Sequence, residues 1–275
     1  MGYPKSRWTL ELLKQACDWL TLDTTGGMSS LLKRLGISYK RGRDYVHSPD
    51  RHYMEKLSQI ELAKLRAYYD PKQFVMIYVD QFTFYRQPSL SQSYEATGHL
   101  QPLAHRSHRS NTCYRIMAGL NAITGQVTAR QRSRISRFVI ADFWLQLRED
   151  YPNAKQIDAV IDNWPVHYHP DALAPLQQQH FPFPPYVPPH WPTAPSAKAK
   201  IDTLPIRLLP LPTYASWLNP IEKLWKWLNQ DVLHLHRLSH DWDALKQLVS
   251  DFLDQFQSAS DELLRYTGLL PDYLS

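Results

Sequence analysis

Two runs of strand length, each stopped by an aspartate, constrain this chain most. Phe74-Val-Met-Ile-Tyr-Val79 ends on Asp80, and Ile157-Asp-Ala-Val-Ile161 ends on Asp162. Runs this apolar, without clean alternation, suit strands covered on both faces, as in a helix-layered sheet with parallel pairing. Thr83-Phe-Tyr-Arg86 reads as a second strand hairpinning back from the first, and residues 114–120 and 126–129 as a further hairpin around Thr124-Gly125. Ser136 to Tyr151 has the spacing of an amphipathic helix, and Ile206 to Leu209 is a last short strand. An aspartate closing one strand is commonly a turn former. Two of them on parallel core strands meet at one edge of a sheet.

Composition narrows the class. The chain has 275 residues and is 43% hydrophobic, enough for one large domain or a large one plus a small one. Its two cysteines, Cys17 and Cys113, lack CxxC spacing, which excludes a disulfide framework or a cysteine zinc site and suits a reducing compartment. No apolar run approaches a membrane span, and Met1-Gly-Tyr-Pro-Lys5 is unlike a signal peptide. The expectation is a cytoplasmic protein. Net charge is +5, compatible with a nucleic-acid partner.

That charge is unevenly spread. Residues 1–70 hold twelve Lys/Arg against eight Asp/Glu. Thr9 caps a first helix with Leu10, Leu13, Cys17 and Leu20 on one stripe; Thr24 to Gly27 break it; Met28 to Leu35 form a second helix stopped by Gly36. A basic arm follows, Tyr39-Lys-Arg-Gly-Arg43. This is the outline of a helix-turn-helix reader, with Lys33, Arg34, Lys40, Arg41 and Arg43 toward DNA, or equally of a helical hairpin with a solvated basic loop. A longer helix spans about Pro49 to Tyr69. Residues 86–137 then hold eight arginines and a single acid, Glu95. Arg106 and Arg109, interleaved with His99, His105 and His108, are candidates for phosphate contact; the alternative is a solvated face.

Residues 175–198 carry eight of the chain's 21 prolines, a density that excludes helix and central strand. An ordered loop, a disordered insertion and a peptide ligand all fit. Downstream, Leu211-Pro-Thr-Tyr-Ala-Ser-Trp-Leu-Asn-Pro-Ile-Glu222 delivers a third carboxylate. Asn219 suits an N-cap, Pro220 the first helical position, and Ile221, Leu224, Trp225, Leu228 and Val232 a buried helix face. In isolation Glu222 closes a capping box with Asn219. Beside Asp80 and Asp162 it completes a set of three carboxylates, which repel one another unless cations sit among them. Hard divalent ions with oxygen ligands fit such a set. Two of them, about 3.5–4 Å apart, would support in-line displacement at phosphorus. Asp142 and Asp158 read as solvated or capping, His167/His169 and His234/His236 as exposed pairs, and Trp217, Trp225 and Trp227 as packing.

Asp80 after its strand, Ile161-Asp162-Asn163 with His167, and Leu211 to Trp225 with its Asn219-Pro-Ile-Glu222 block together resemble the IS630-type, Tc1/mariner-related DDE transposases. Leu35-Gly-Ile-Ser-Tyr-Lys-Arg41 and Ala118-Gly-Leu-Asn-Ala-Ile-Thr-Gly125 fit the same order. The resemblance implies an α/β fold: an RNase H-like mixed sheet flanked by helices, preceded by a small helix-turn-helix segment. The expected division is a partial DNA-binding domain over 1–48, a linker helix over 49–73 and a catalytic domain over 74–275 with a proline-rich insertion at 175–204. It further implies that Asp80, Asp162 and Glu222 hold two Mg²⁺ or Mn²⁺ ions, with Gln81, Asn163, His167 and Asn219 around them. The implied activity is cleavage of element ends and strand transfer, typically at TA, by a homodimer on DNA in a prokaryotic, nucleoid-associated setting. A silent DNA-binding remnant and a recruited nuclease are the alternatives. Gln81 stands where the family commonly has an acid, the gap from Asp162 to Glu222 is 60 positions, and a preceding helix-turn-helix is expected from a separate reading frame or to be lost.

Overall fold

The computed structural model describes residues 8–39, 47–95, 97–178 and 180–270, and the chain divides into two units, Met1–Tyr45 and Val46–Ser275. In the first unit, α1 (Leu10–Ala16) starts at Thr9, whose hydroxyl accepts the Leu12 amide at 3.2 Å. A single 3-10 turn leads to α2 (Thr25–Arg34), which packs on α1. α2 begins three residues earlier than its apolar spacing suggests. Thr24 caps the Gly27 amide at 3.1 Å and so draws both glycines into the first turn. Gly36, at φ +70°, ends the helix as expected. Lys33 and Arg34 are exposed at its last turn, where cations favour the helix dipole. Lys40, Arg41 and Arg43 lie outside the described residues.

The second unit is built on a five-stranded mixed sheet in the order β3-β2-β1-β4-β5. Its strands are β1 (Phe74–Tyr85), β2 (Cys113–Asn121), β3 (Val127–Arg132), β4 (Gln156–Ile161) and β5 (Ile206–Pro210). β1, β2 and β3 pair antiparallel; β1 with β4, and β4 with β5, pair parallel. The predicted hairpin at Thr83 does not form. β1 is one strand of 12 residues, because β2 pairs with it without interruption from Ile77↔Asn121 to Tyr85↔Cys113. After Asp80, Gln81-Phe-Thr83 offers no glycine, proline or asparagine to complete a turn.

Alternation along β1 sorts two cores. Met76, Tyr78 and Phe84 pack with Ile60, Ala63 and Ala67 of α3 (Tyr53–Tyr69), and with α6 (Ile221–Leu228), α7 (Trp242–Asp254) and α8 (Asp261–Thr267). Val75, Ile77 and Val79 pack with Phe143, Trp144 and Leu147 of α4 (Arg137–Asp150). A short helix, α5 (Pro170–Leu173), follows β4. Asp158 corrects the sequence reading. It is 1% exposed and is held by Arg207 Nε at 2.7 Å and Arg66 Nη2 at 3.4 Å. Two arginines from other elements make a mid-strand carboxylate tolerable inside the sheet, and nothing local in the sequence announces them. Asp50 is similarly tied to Lys56 and to the Thr213 amide, both at 2.8 Å. Those bonds join the start of α3 to the loop after β5. No helix among the described residues is long and apolar enough to cross a membrane.

Gly119 of β2, paired with Val79, sits at a close approach between the sheet and α4. A Cβ there would lie 2.5 Å from Ile77 Cγ2 and 3.3 Å from Phe143 Cζ. Gly119→Ala is therefore expected to destabilise the protein by about 1–3 kcal/mol, read as a lower urea midpoint at unchanged slope.

Candidate active site

The sheet register builds this site. Parallel pairing of β1 and β4 runs only as far as Tyr78↔Val160. Asp80 and Asp162 each lie two residues past that last pair, so both leave the sheet at the same level. Asp80 is inside the long β1, not at its end, but the β4 side of the strand is vacant from that level onward. Asp80 also shares parity with Met76 and Tyr78 and so faces the layer that contains α6. Glu222 sits in the first turn of α6. Asp80, Glu222 and Trp225 line one pocket together with Ser89, Lys226 and His234.

α6 begins differently from its sequence signature. Pro220 is already helical, at φ −60° and ψ −24°, and no side chain caps the helix. Asn219 is 4% exposed; its Nδ2 donates to the Val79 carbonyl at 3.4 Å, and its Oδ1 is buried without a partner among the described residues. The capping box is absent, since the Asn219 amide donates to the Ser216 carbonyl at 2.8 Å and Glu222 is hydrogen-bonded by the Ser216 side chain. Asn219 instead ties the α6 entry to β1 one residue before Asp80. Asn163 plays a parallel part, donating to the Leu211 carbonyl at 2.9 Å and so joining the ends of β4 and β5.

Each carboxylate has its own environment. Burial pushes Asp80 up to about 6, with the charges of Asp162 and Glu222 adding to the rise; hydrogen bonds from Trp225 and the Gln81 amide oppose it. Burial also acts against the charge on Asp162, but the hydrogen bond and charge of His167 and the Trp164 amide outweigh it, leaving its pKa lowered. His167 Nε2 lies 3.0 Å from Asp162 Oδ1, and the Trp164 amide donates to the same oxygen at 3.2 Å. Glu222 is raised by partial burial, offset in part by Ser216. No lysine or arginine pairs with any of the three among the described residues. The donor set is hard and anionic, with His167 beside Asp162 as its ion-pair contact among the described residues, and it suits a divalent cation with oxygen ligands. It is not a closed cage: among the described residues no three such side chains converge closely enough to hold an ion unaided.

One residue is added to the expected set and another is relocated. Trp225, expected as packing, is 5% exposed and stacks on Phe82 at 5.3 Å, yet its Nε1 donates to Asp80 Oδ2 at 2.8 Å. Its position three residues after Glu222 was the available signal, since an indole N–H on a buried face needs an acceptor. His167 is fully buried, and its Nε2 lies 3.2 Å from Gln81 Nε2 as well as close to Asp162. It is not the exposed histidine expected; one ring nitrogen serves both neighbours, while Nδ1 has no hydrogen-bond partner among the described residues. His169 and His236 are also buried, at 6% and 8%. Asp142 pairs with Lys200 at 2.7 Å and Arg130 at 3.5 Å. Arg106 and Arg109 are exposed on the segment after β1, which Gln87 folds back through bonds to Ser107 and Arg109. Neither lines the carboxylate pocket.

Folding raises the Asp80 pKa from 3.8 to about 6, so its ionisation costs stability that grows from about pH 4 to pH 6 and is complete above. Asp80→Asn is expected to stabilise the metal-free protein by about 2–3 kcal/mol at pH 7.5 and by little at pH 4, read from melting curves in EDTA. Trp225→Phe keeps the stack but removes the donor. It should move the Asp80 titration upward by about one pH unit, followed by carboxyl-carbon NMR.

The geometry can now be set beside known proteins. Residues 75–246 match the family described as DDE superfamily endonuclease. The chain is 22% identical over 249 residues to an uncharacterized 39 kDa protein of insertion element IS630 from Shigella sonnei, covering 90% of this chain and 64% of that protein's length. A pre-cleavage Mos1 transpososome superposes with a TM-score of 0.59 at 17% identity, covering 99% of this chain and 78% of that one. A Mos1 mariner paired-end complex with Mn gives 0.57 at 17% identity over the same shares. These structures share the RNase H-like fold. The family match spans more than half the sequence and carries β1 to β5 and all three carboxylates with it, and the chain belongs to the DDE superfamily endonucleases.

Proposed function

We propose that this chain is the catalytic part of a DNA transposase of the IS630–mariner type, cleaving phosphodiester bonds at element ends and joining the freed 3′ end to target DNA. The observation that carries the reading is Asp80 and Asp162 at one level of the sheet, with Glu222 delivered to the same edge by α6. Asp80, Asp162 and Glu222 would hold two Mg²⁺ or Mn²⁺ ions. Bound there, such ions supply Lewis-acid activation of an attacking oxygen and stabilisation of the leaving one.

The chain's own residues orient this apparatus. Trp225 holds one oxygen of Asp80, His167 and the Trp164 amide hold Oδ1 of Asp162, and Ser216 holds Glu222. Each carboxylate is thus fixed in direction while retaining its charge. Gln81 braces His167; it contributes no charge where an acid would stand next to Asp80. Asn219 and Asn163 fix the loops that carry the second and third carboxylates relative to β1 and β5. Lys33, Arg34, Arg106 and Arg109, with Lys40, Arg41 and Arg43, are assigned to DNA backbone contacts. Two ends must be paired before joining, so a homodimer on DNA is the working assembly, in the nucleoid of a prokaryotic cell. The Mos1 structures are described as paired-end and strand-transfer complexes, which supports this arrangement for the fold.

A supercoiled plasmid carrying candidate element ends tests the reading. Wild type is expected to nick it with Mg²⁺ or Mn²⁺ and not with EDTA, and Glu222→Gln should lose at least about 100-fold in rate, a loss of the size seen when one electrostatic contributor is removed. Mn²⁺ should also raise the melting temperature of wild type more than that of Asp80→Asn. Salt-sensitive binding without any cleavage would favour a silent remnant.

A further inference from the structure

A second groove, of about 760 Å³, opens where Gln81 and Thr83 of β1 pass the end of β4. The proline-rich stretch forms its outer wall, and that wall is built rather than draped. The insertion is closed at its base by the Leu204 amide on the Pro175 carbonyl at 2.9 Å and the Gln177 amide on the Leu204 carbonyl at 3.0 Å. Asp171, 1% exposed, anchors its middle: Oδ1 accepts the Ser196 amide at 2.6 Å, and Oδ2 accepts Arg137 Nε at 2.6 Å. Trp191 packs on His169 with ring centroids 4.8 Å apart, and Phe181 packs edge-on against Tyr168 at 5.5 Å.

The lining is basic and aromatic. Arg115, Arg134, Arg137, Trp164, His190 and Trp191 all contribute, and the single acid, Asp171, is already engaged by Arg137. Arg115 donates only to the Ser133 carbonyl, at 2.8 Å, and Arg134 makes no ion pair among the described residues. Uncompensated guanidinium groups beside half-buried indoles form the surface that single-stranded nucleic acid recognises, phosphates on the cations and bases against the rings. The volume accommodates about one or two nucleotides. The groove lies on the α4 side of β1 and adjoins the carboxylate edge through two lining residues: Trp164, whose amide donates to Asp162, and Gln81, which bonds His167.

We propose that this groove binds unpaired nucleotides of the DNA strand next to the scissile phosphate, with Trp191 stacking on a base and Arg115 and Arg134 holding phosphates, and that the proline-rich insertion supplies its outer wall. The inference rests on the transposase reading and adds a strand-separating subsite to it. A rigid proline-rich wall loses little chain entropy when it closes on a ligand.

Fluorescence anisotropy of the full chain in EDTA, with a short single-stranded oligonucleotide and a matching duplex, tests this without any need for cleavage. Trp191→Ala is expected to weaken single-strand binding about 5- to 100-fold while duplex affinity changes less than about 2-fold. Trp191→Phe should restore most of the loss. Arg134→Ala, at an exposed and unpaired position, should reduce the single-strand salt slope by about 0.7. Equal single-strand affinity in wild type and Trp191→Ala would overturn the proposal, as would equal losses for single strand and duplex, or a Phe variant as weak as Ala. Duplex binding by wild type with no single-strand binding would sink the groove and leave the transposase reading standing. No binding to either DNA would count against both.

Discussion

The parallel pairing of β1 with β4 is the constraint on which the rest depends. It stops at Tyr78↔Val160 while β1 continues seven residues further along β2. That inequality of strand length opens one side of β1 at the level where both aspartates emerge. A shift of one residue in this register would turn Asp80 toward the α4 layer and bring Val79 or Gln81 to the α6 side. Gly119, paired with Val79 beside Asp80, permits the close packing that holds β1 and α4 together at this level, so core packing on the far face of the sheet helps set where Asp80 emerges.

Charge at the site is handled by hydrogen bonds and one histidine contact rather than by lysine or arginine pairs. An arginine next to Asp80 would neutralise it and stabilise the fold, as Arg66 and Arg207 do for Asp158. The carboxylate edge instead uses an indole, a hydroxyl, an imidazole and backbone amides. These groups orient anions without cancelling them. The two treatments of carboxylates, a few residues apart in one sheet, separate a group paired within the fold from groups held without a lysine or arginine partner at some cost to stability.

The proline-rich segment extends the same logic. It lies in the connection from Asp162 to Glu222, with its base closed by backbone hydrogen bonds and Ser196 held by Asp171. A long loop adds little to closure entropy when its ends are already adjacent. What it adds is a wall of rings and prolines beside an otherwise open edge.

Local patterns determined much of this protein. The apolar runs at 74–79 and 157–161 announced central strands because burial on both faces leaves no polar alternation. Thr9, Ser136 and Gly36 marked helix ends through capping chemistry that acts within four residues. The Asn219-Pro-Ile-Glu222 block identified its family because several chemical demands fall within a few residues. Tertiary structure decided the rest. Whether β1 stops or continues at Asp80 depended on β2, more than thirty residues away. Asp158 looked solvated until arginines from α3 and β5 reached it, and Trp225 looked like filler until its N–H met Asp80. Asn219 was read as a cap and became a brace, since the Val79 carbonyl lies 140 residues distant in the chain. Periodicity and capping are properties of neighbours along the chain; the partner of a buried polar atom is a property of neighbours in space, which the folded register alone selects.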